Sequence, residues 1–452
     1  MNKKLYPVLK NEYVLVCRHI ESMLYPLYIN KQHYSTSSYP YLTLNQTGAE
    51  ILSFCDGTNS VEHIIELMCS KYNESKEVAT EFTIDFLNNS LEHKHIVLNS
   101  TKEKQDIRVC GDFSLVTPSF VSFEITKNCP LKCKHCFNDS GVAMANEMNT
   151  EQVYLALDKL REMGVQKVMI TGGEPTQRKD FINIIRYASS QFIAVSIASS
   201  GYLITEKLAH DLAELKDNIL VQISLDGAEK NHNEIRGVKN SFEKATKAIA
   251  FLSQCGIPVT IGATINDKNF NDMEEIAKVS QHFGAIELSF AITTEQGRAR
   301  DNDLAHKIDV KDLVNRAIEL REIYSNKGLI ISIEDDTLSQ LENNEAHYCG
   351  AGVSQMAIRA NGDISPCVCF FYSYGNILSD ELKDIFSPEN VSPFTDIKIP
   401  CKAFCGDCPE LENCNLCPAR AFDSPLAYKD CKWKQDFSQS LINVGRGEEK
   451  RA

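Results

Sequence analysis

No stretch of this chain stays apolar for the ~20 residues that a membrane-spanning helix needs. No basic run is present either, and the net charge is −14 over 452 residues. That balance excludes a partner bound through a phosphate backbone, so no nucleic acid is expected. The start, Met1-Asn-Lys-Lys-Leu-Tyr-Pro7, has two lysines but no apolar segment behind them, so it does not read as a signal peptide. These absences together predict a cytoplasmic protein. The length allows two to four domains of roughly 100–200 residues and a large α/β core. Cysteine, by contrast, is abundant, with 17 in the chain. A reducing compartment keeps disulfides open, so clustered thiols read as metal ligands. Three lie at 129–136 and nine between Cys349 and Cys431. Cys17, Cys55, Cys69, Cys110 and Cys255 stand apart and read as small buried hydrophobes.

The run Cys129-Pro-Leu-Lys-Cys133-Lys-His-Cys136 follows a β-type stretch, Val121–Thr126. Its thiols therefore sit in a loop leaving a strand, where side chains can converge on one object. Thiolates bind soft metals and iron–sulfur clusters. A closed zinc site wants four ligands, and so does a fully ligated cubane. His135, between the last two cysteines, is awkwardly placed to be the fourth. Three thiolates on a four-iron cluster leave one iron open for a substrate. Half of a zinc site, or three unrelated cysteines, are the alternatives.

From Phe120 onward, strand and helix patterns alternate. Strands are predicted at Val121–Thr126, Lys167–Thr171, Ile193–Ala198, Ile219–Ser224, Val259–Ile265 and Ile286–Ile292. Helices are predicted at Thr150–Met163 (Thr150 as N-cap), Asp180–Gln191, Thr205–Leu215, Ser241–Cys255 and Phe270–Phe283. Six such units imply a parallel sheet. The second strand runs into Thr171-Gly172-Gly173-Glu174-Pro175, where two glycines permit close backbone approach to a ligand and Glu174 offers an acceptor.

The three-cysteine spacing and the Gly-Gly-Glu turn together resemble the radical S-adenosylmethionine (SAM) enzymes. The resemblance implies a (β/α)6 partial TIM barrel over residues 115–305, with its chemistry at the strands' C-terminal ends. It implies a [4Fe-4S] cluster on Cys129, Cys133 and Cys136, with SAM on the open iron. Reductive cleavage of SAM would give a 5′-deoxyadenosyl radical. It places Gly172, Gly173 and Glu174 at the SAM amino group. Ser199 and the Ser224-Leu-Asp226-Gly run approach the ribose and methionine. Arg236 is then the candidate for the SAM carboxylate, by bidentate pairing, and a surface ion pair is its bland alternative. His135 takes the slot of a ring near adenine, simple exposure being the alternative. Gly297-Arg298-Ala299-Arg300 resembles the family as well, without an assigned role.

Two flanking regions extend the likeness. Residues 1–100 read as three short strands, Tyr13–Cys17, Tyr25–Ile29 and Tyr39–Leu44, then three helices. Asn45 and Ser60 are N-cap candidates, and the helix at 76–91 has Val78, Phe82, Ile84, Phe86 and Leu87 on its apolar side. This winged-helix-like α+β unit resembles the PqqD-like element of ribosomal-peptide modifying enzymes. There a leader peptide adds as a strand beside the third strand and packs on the third helix. Asn99–Gly111 reads as a linker.

Residues 345–435 carry Cys349, then Gly362-x4-Cys367, then Cys405-x2-Cys408-x5-Cys414-x2-Cys417 and Cys431. This resembles the SPASM extension, although the family's last interval is x3. Paired Cys-x2-Cys units also hold zinc. The resemblance implies one auxiliary cluster on Cys405, Cys408, Cys414 and Cys431, and another on Cys349, Cys367 and Cys417. Position 343, a cysteine in some members, is Asn343. The second of these clusters is therefore expected to keep an open iron able to take a substrate thiolate, unless Cys369 or Cys401 completes it. Three [4Fe-4S] clusters are expected in all. The whole plan resembles the sactisynthases, which join a cysteine sulfur to an α-carbon in a precursor peptide. A precursor with a leader sequence and a reductant such as flavodoxin or ferredoxin would be the partners. Other radical peptide modifications, and a non-catalytic zinc-bearing peptide binder, are the competing readings.

Overall fold

The computed structural model describes residues 1–27, 41–294, 296–302, 304, 308–333, 349–414, 417–423 and 430–444. The expectations on Tyr28, Ile29, Tyr39, Pro40 and Asn343 lie outside these residues. The chain divides into two compact units. One is Met1–Thr117 with Leu160–Gly164 and Phe386–Pro388, and the other is the remainder.

In the first unit, β1 (Tyr6–Leu9) pairs antiparallel with β5 (Ile96–Asn99). A four-stranded sheet runs in the order β4 (Leu42–Leu44), β3 (Ser22–Pro26), β2 (Tyr13–Cys17) and β6 (Arg108–Gly111). Three helices, α1 (Gln46–Ser53), α2 (Val61–Tyr72) and α3 (Lys76–Glu92), follow β4. Asn45 and Ser60 cap as expected, accepting from the amides of Gly48 and His63. The region expected to be a linker is structured, because Val109 and Cys110 of β6 pair in parallel with Leu15 and Val16. Its polar approach, Thr101–Asp106, hides the short strand from pattern reading. In α3 the buried residues are Ala79, Thr83, Leu87 and Ser90, whereas Phe82 is 68% exposed. The apolar face expected there was drawn too wide. Cys17 and Cys55 are buried as expected, and Cys69, Cys110 and Cys255 only partly.

The second unit is built on a nine-stranded sheet. Strands β7 (Phe120–Glu124), β8 (Lys167–Thr171), β9 (Ala194–Ser199), β10 (Ile219–Ser224), β11 (Val259–Ile265) and β12 (Glu287–Ile292) are parallel and consecutive neighbours. They match the six predicted strands. Their inner positions, among them Val168, Ile170, Val221, Ile223 and Ile261, are buried, as a sheet covered on both faces requires. Between them run α4 (Thr150–Glu162), α5 (Phe181–Gln191), α6 (Glu206–Ala213), α7 (Glu229–Arg236), α8 (Ser241–Gln254) and α9 (Met273–His282). Asn149, not Thr150, caps α4, since its side chain accepts from the Gln152 amide. The Thr150 hydroxyl bonds Asp180 instead, at 2.6 Å.

The sheet goes beyond six strands. After α10 (Arg298–Asp301) and α11 (Val310–Tyr324), β13 (Ile330–Ile333) adds beside β12. At the opposite edge, β14 (Gln355–Ile358) pairs in parallel with β7, and β15 (Ile364–Ser365) follows antiparallel. The cysteine-rich C-terminal segment is thus hydrogen-bonded into the barrel sheet. It continues through α12 (Leu382–Ile385), α13 (Pro388–Thr395), α14 (Lys402–Cys405), α15 (Leu411–Cys414), α16 (Pro418–Phe422) and α17 (Lys432–Asn443).

A buried ion pair locks that junction. Arg359, just past β14, donates to Glu124 at the end of β7 at 2.8 Å, and both side chains are almost wholly buried. The same guanidinium donates to Ser365 Oγ and to the carbonyls of Cys367 and Phe370. Removing one partner strands the other charge. Glu124→Leu is expected to destabilise the protein by about 3 kcal/mol, read as a lower urea midpoint with an unchanged slope.

Candidate active site

The loop between β7 and α4 carries Cys129, Cys133 and Cys136 at the C-terminal end of the sheet. It has almost no regular structure of its own, so its form comes from neighbouring loops. At its base, Cys129 N–H donates to Gly141 O and Gly141 N–H to Lys127 O, both at 3.1 Å. Glu147 accepts from the Thr126 hydroxyl and from the amides of Lys127 and Met144. From the end of β8, Gly173 and Glu174 donate their amides to Thr126 O and Asn128 O, at 2.7 and 2.8 Å. Gly172 has φ +145°, and a Cβ there would stand 2.1 Å from Thr126 O. A Cβ on Gly173 would stand 2.4 Å from Asn128 O. The two glycines were expected to admit a ligand; here they admit the cysteine loop itself.

Two further loops hold its far side. Lys132 and Lys134 donate their amides to the carbonyls of Arg236 and Ile235 in α7. After β12, Arg298 donates Nε to Cys133 O and Nη1 to Asp139 Oδ1 and Ser140 O, and its amide to Cys136 O. Gly297, at φ +52°, packs so that a Cβ would lie 2.4 Å from Phe137 O. The Gly297-Arg298 pair, left without a role above, is therefore a brace for the loop.

Glu174 is fully buried, and its carboxylate is surrounded by donors. It accepts from the Ser199 hydroxyl and the Ser200 amide, both at 2.8 Å, and from the hydroxyls of Thr176 and Ser200. Ser199, expected near SAM, points its hydroxyl at Glu174. The Glu174 side chain thus ties the ends of β8 and β9 together. Ser224 ends β10, paired in register with Gly262 of β11.

Asp226 is a second hub. It is fully buried, with Oδ2 2.6 Å from Arg236 Nε and 3.2 Å from His135 Nε2. Arg236 closes an ion pair on that oxygen, and His135 meets the same oxygen from the cysteine loop. Oδ1 accepts from the Thr264 amide, and the Asp226 amide donates to His232 Nδ1. Burial opposes the Asp226 charge, but Arg236 and His135 outweigh it and hold the carboxyl well below the usual range. Burial and the Arg236 charge push the His232 imidazole down to about 3. Arg236 Nη1 also lies 3.8 Å from Cys133 Sγ. Arg236 is therefore buried and committed to Asp226 and Cys133, not a surface pair. His135 is buried too, beside Asp226, which disposes of simple exposure.

The three thiols fit a soft cationic group. Burial first, then the neighbouring thiols and Glu174, push Cys129 up to about 12. Burial also raises Cys133, against the opposing Arg236 charge. Thiols raised in this way, Cys129 and Cys133, give up their protons readily to a positively charged centre.

The C-terminal cysteines fall into two groups. Cys405, Cys408, Cys414 and Cys431 line one cavity of about 410 Å³, together with Trp433. Burial, then the Cys408 and Cys405 charges, push Cys414 up to about 12. Cys367 is raised by burial and by the charges of Cys369, Cys417 and Cys349. Among the described residues, no three His, Cys, Asp or Glu side chains are arranged to hold a single metal ion.

Comparison with known proteins agrees with this layout. The radical SAM superfamily profile matches residues 123–279, that of coenzyme PQQ synthesis protein D (PqqD) matches 35–96, and that of the iron–sulfur cluster-binding SPASM domain matches 349–409. The sporulation killing factor maturation protein SkfB of Bacillus subtilis is 31% identical over 303 residues, 66% of this chain and 71% of that protein. The chain belongs to the radical SAM superfamily. A second relative of this radical SAM enzyme is the antilisterial bacteriocin subtilosin biosynthesis protein AlbA of Bacillus subtilis. It is 28% identical over 417 residues, 90% of this chain and 91% of that protein. In fold, Streptococcus suis SuiB, crystallised with precursor peptide SuiA, superposes with a TM-score of 0.66 over 93% of this chain and 97% of that one, at 16% identity. A radical SAM domain takes a [4Fe-4S] cluster with SAM, and a SPASM domain takes auxiliary iron–sulfur clusters. The thiol groups described above fit both.

Glu147, Thr176, Thr264 and Asn269, which donates to the carbonyls of Asp226 and Thr264, were not anticipated. Each acts through the fold rather than within a motif. Among the described residues, no helix is long and apolar enough to cross a membrane. Arg298→Ala is expected to speed chelator removal of iron from the three-cysteine loop by about tenfold, with an unchanged far-UV circular dichroism spectrum. A rate equal to the parent's would remove Arg298 as a brace.

Proposed function

We propose that the protein is a peptide maturase that joins a cysteine sulfur to an α-carbon of a ribosomally made precursor. The observation that carries this reading is the run of likeness to AlbA through 90% of the chain, spanning all three matched regions in one order. Residues 1–100 would recognise the leader, 115–305 house the radical chemistry, and 345–435 hold two auxiliary clusters. Bound at Cys129, Cys133 and Cys136, the cluster and SAM supply a 5′-deoxyadenosyl radical for hydrogen abstraction. Overall one C–H and one S–H bond are lost and one C–S bond forms, while SAM becomes methionine and 5′-deoxyadenosine and a proton is released. SAM is thus the two-electron acceptor. A flavodoxin or ferredoxin of the cytoplasm would lend the initiating electron.

The chain's own residues do the placing. Gly172 and Gly173 let the β8 turn lie against the cysteine loop, and Glu174 holds that turn to Ser199 and Ser200. Asp226 orients His135 and Arg236, and Arg236 faces Cys133. In this role Glu174 and Asp226 are positioning residues, while the backbone of the Gly-Gly turn and the His135 ring remain the groups facing SAM. The Ser224–Asp226 strand end lies on the same side.

The leader would add at β4. This strand is the edge of its sheet among the described residues, and Leu42 on it and Tyr41 just before it are exposed. Exposed Val78 and Phe82, one helical turn apart on α3, offer an apolar anchor.

Cys133→Ala is expected to abolish 5′-deoxyadenosine formation. Cys414→Ala is expected to retain it yet yield no loss of two hydrogens in the peptide mass; an intact crosslink there would remove that cluster from the reaction. Phe82→Ala is expected to weaken binding of a labelled precursor by about tenfold, with unchanged SAM cleavage in the peptide's absence. Another modification, a β-carbon thioether or a carbon–carbon bond, would show in the fragmentation pattern of the same product.

A further inference from the structure

The cluster at Cys349, Cys367 and Cys417 has three thiols at the family's positions and was expected to keep an open iron. The fold puts Cys369 in the same turn as Cys367. We propose that Cys369 is the fourth ligand of this auxiliary cluster, which then has no iron open to substrate. The inference rests on the cluster assignment under the proposed function.

A turn follows β15. Cys367 and Cys369 share it, closed by the Phe370 amide donating to Cys367 O at 3.2 Å. Arg359 fixes both its ends, through the carbonyls of Cys367 and Phe370, and is itself held by Glu124. Gln296 holds its middle, donating Nε2 to Cys369 O at 3.0 Å. With its backbone held at three places, the turn leaves its two thiols little freedom.

The other two members are carried to the same turn. The Gly352 amide donates to Pro366 O at 2.9 Å, which sets the Cys349–Gly352 segment beside Cys367. Cys417 N-caps α16, and Phe422 of that helix packs its ring 4.9 Å from Phe370, the residue after Cys369. Beside burial, the neighbours that raise the Cys367 thiol include Cys369, Cys417 and Cys349. The rival candidate, Cys401, belongs elsewhere. It N-caps α14, its carbonyl accepts from the Cys405 amide at 2.8 Å, and its charge is felt at Cys405. Four thiolates complete a cubane. A cluster so capped can pass an electron but takes no peptide thiolate.

The test uses the full-length chain with Cys129, Cys133 and Cys136 all replaced by alanine, reconstituted anaerobically, so that only auxiliary clusters remain. Iron content and the electron paramagnetic resonance spectrum of the reduced protein are read with and without added cyanide, a small ligand for an open iron. The parent should hold about eight irons, at four per cubane, with a spectrum that cyanide leaves alone. Adding Cys369→Ala should either drop the content to about four irons or create a cyanide-sensitive signal. Cys369→Ser should lessen either effect, and Cys401→Ala should give neither. Far-UV circular dichroism confirms that each variant is folded. A cyanide-sensitive parent, or a Cys369→Ala protein indistinguishable from it, overturns the assignment and leaves the proposed function standing. A parent with no iron removes the auxiliary clusters, and both readings fall together.

Discussion

Everything at the active end depends on holding a long irregular loop still. Fixing each loop residue costs about 1–2 kcal/mol of conformational entropy, and this loop has neither strand nor helix to offset it internally. The offset comes from outside, as backbone hydrogen bonds from the tips of β8, α7 and β12 to Thr126, Asn128, Lys132, Lys134 and Cys136. Such contacts need backbones closer than side chains allow. That is why glycine stands at 172, 173, 237 and 297, each with a would-be Cβ under 3 Å from a loop carbonyl. The three cysteines are thereby carried on one loop held from several sides.

Charge is arranged to suit that arrangement. An isolated buried carboxylate would be intolerable, yet Asp226 is fully buried with Arg236 and His135 against it. The triad links β10 to the cysteine loop, since His135 lies in that loop and Arg236 ends α7. It also leaves a guanidinium facing Cys133 Sγ. Glu174 is settled differently, by hydroxyl and amide donors rather than by a cation. One carboxylate is thus a charge partner and the other a neutral-donor hub, although both sit at strand ends of one sheet.

Much of this was legible in the chain. The six barrel strands followed from apolar runs of strand length between helical periods, because a doubly covered sheet forces both faces to be apolar. The short interval Cys129-x3-Cys133-x2-Cys136 put three thiols in one loop, and the structure has that loop leaving β7. What escaped was set by distance in the fold. Nothing local reveals that Ser199 and Ser200 reach Glu174 from the next strand. Phe82 was placed inside because periodicity alone cannot say how wide a helix's buried face is. Strand β6 was read as linker because four residues with polar neighbours leave no pattern. Arg298 and Arg359 act on carbonyls, and a carbonyl carries no sequence signature.

The C-terminal spacing shows how little chain separates two metal groups. Cys414 ends α15 and lines the cavity with Cys405, Cys408 and Cys431, whereas Cys417 is the N-cap of α16 and adds to the charge that raises Cys367. Between them the Cys417 amide donates to Cys414 O at 3.1 Å, the closure of a single turn.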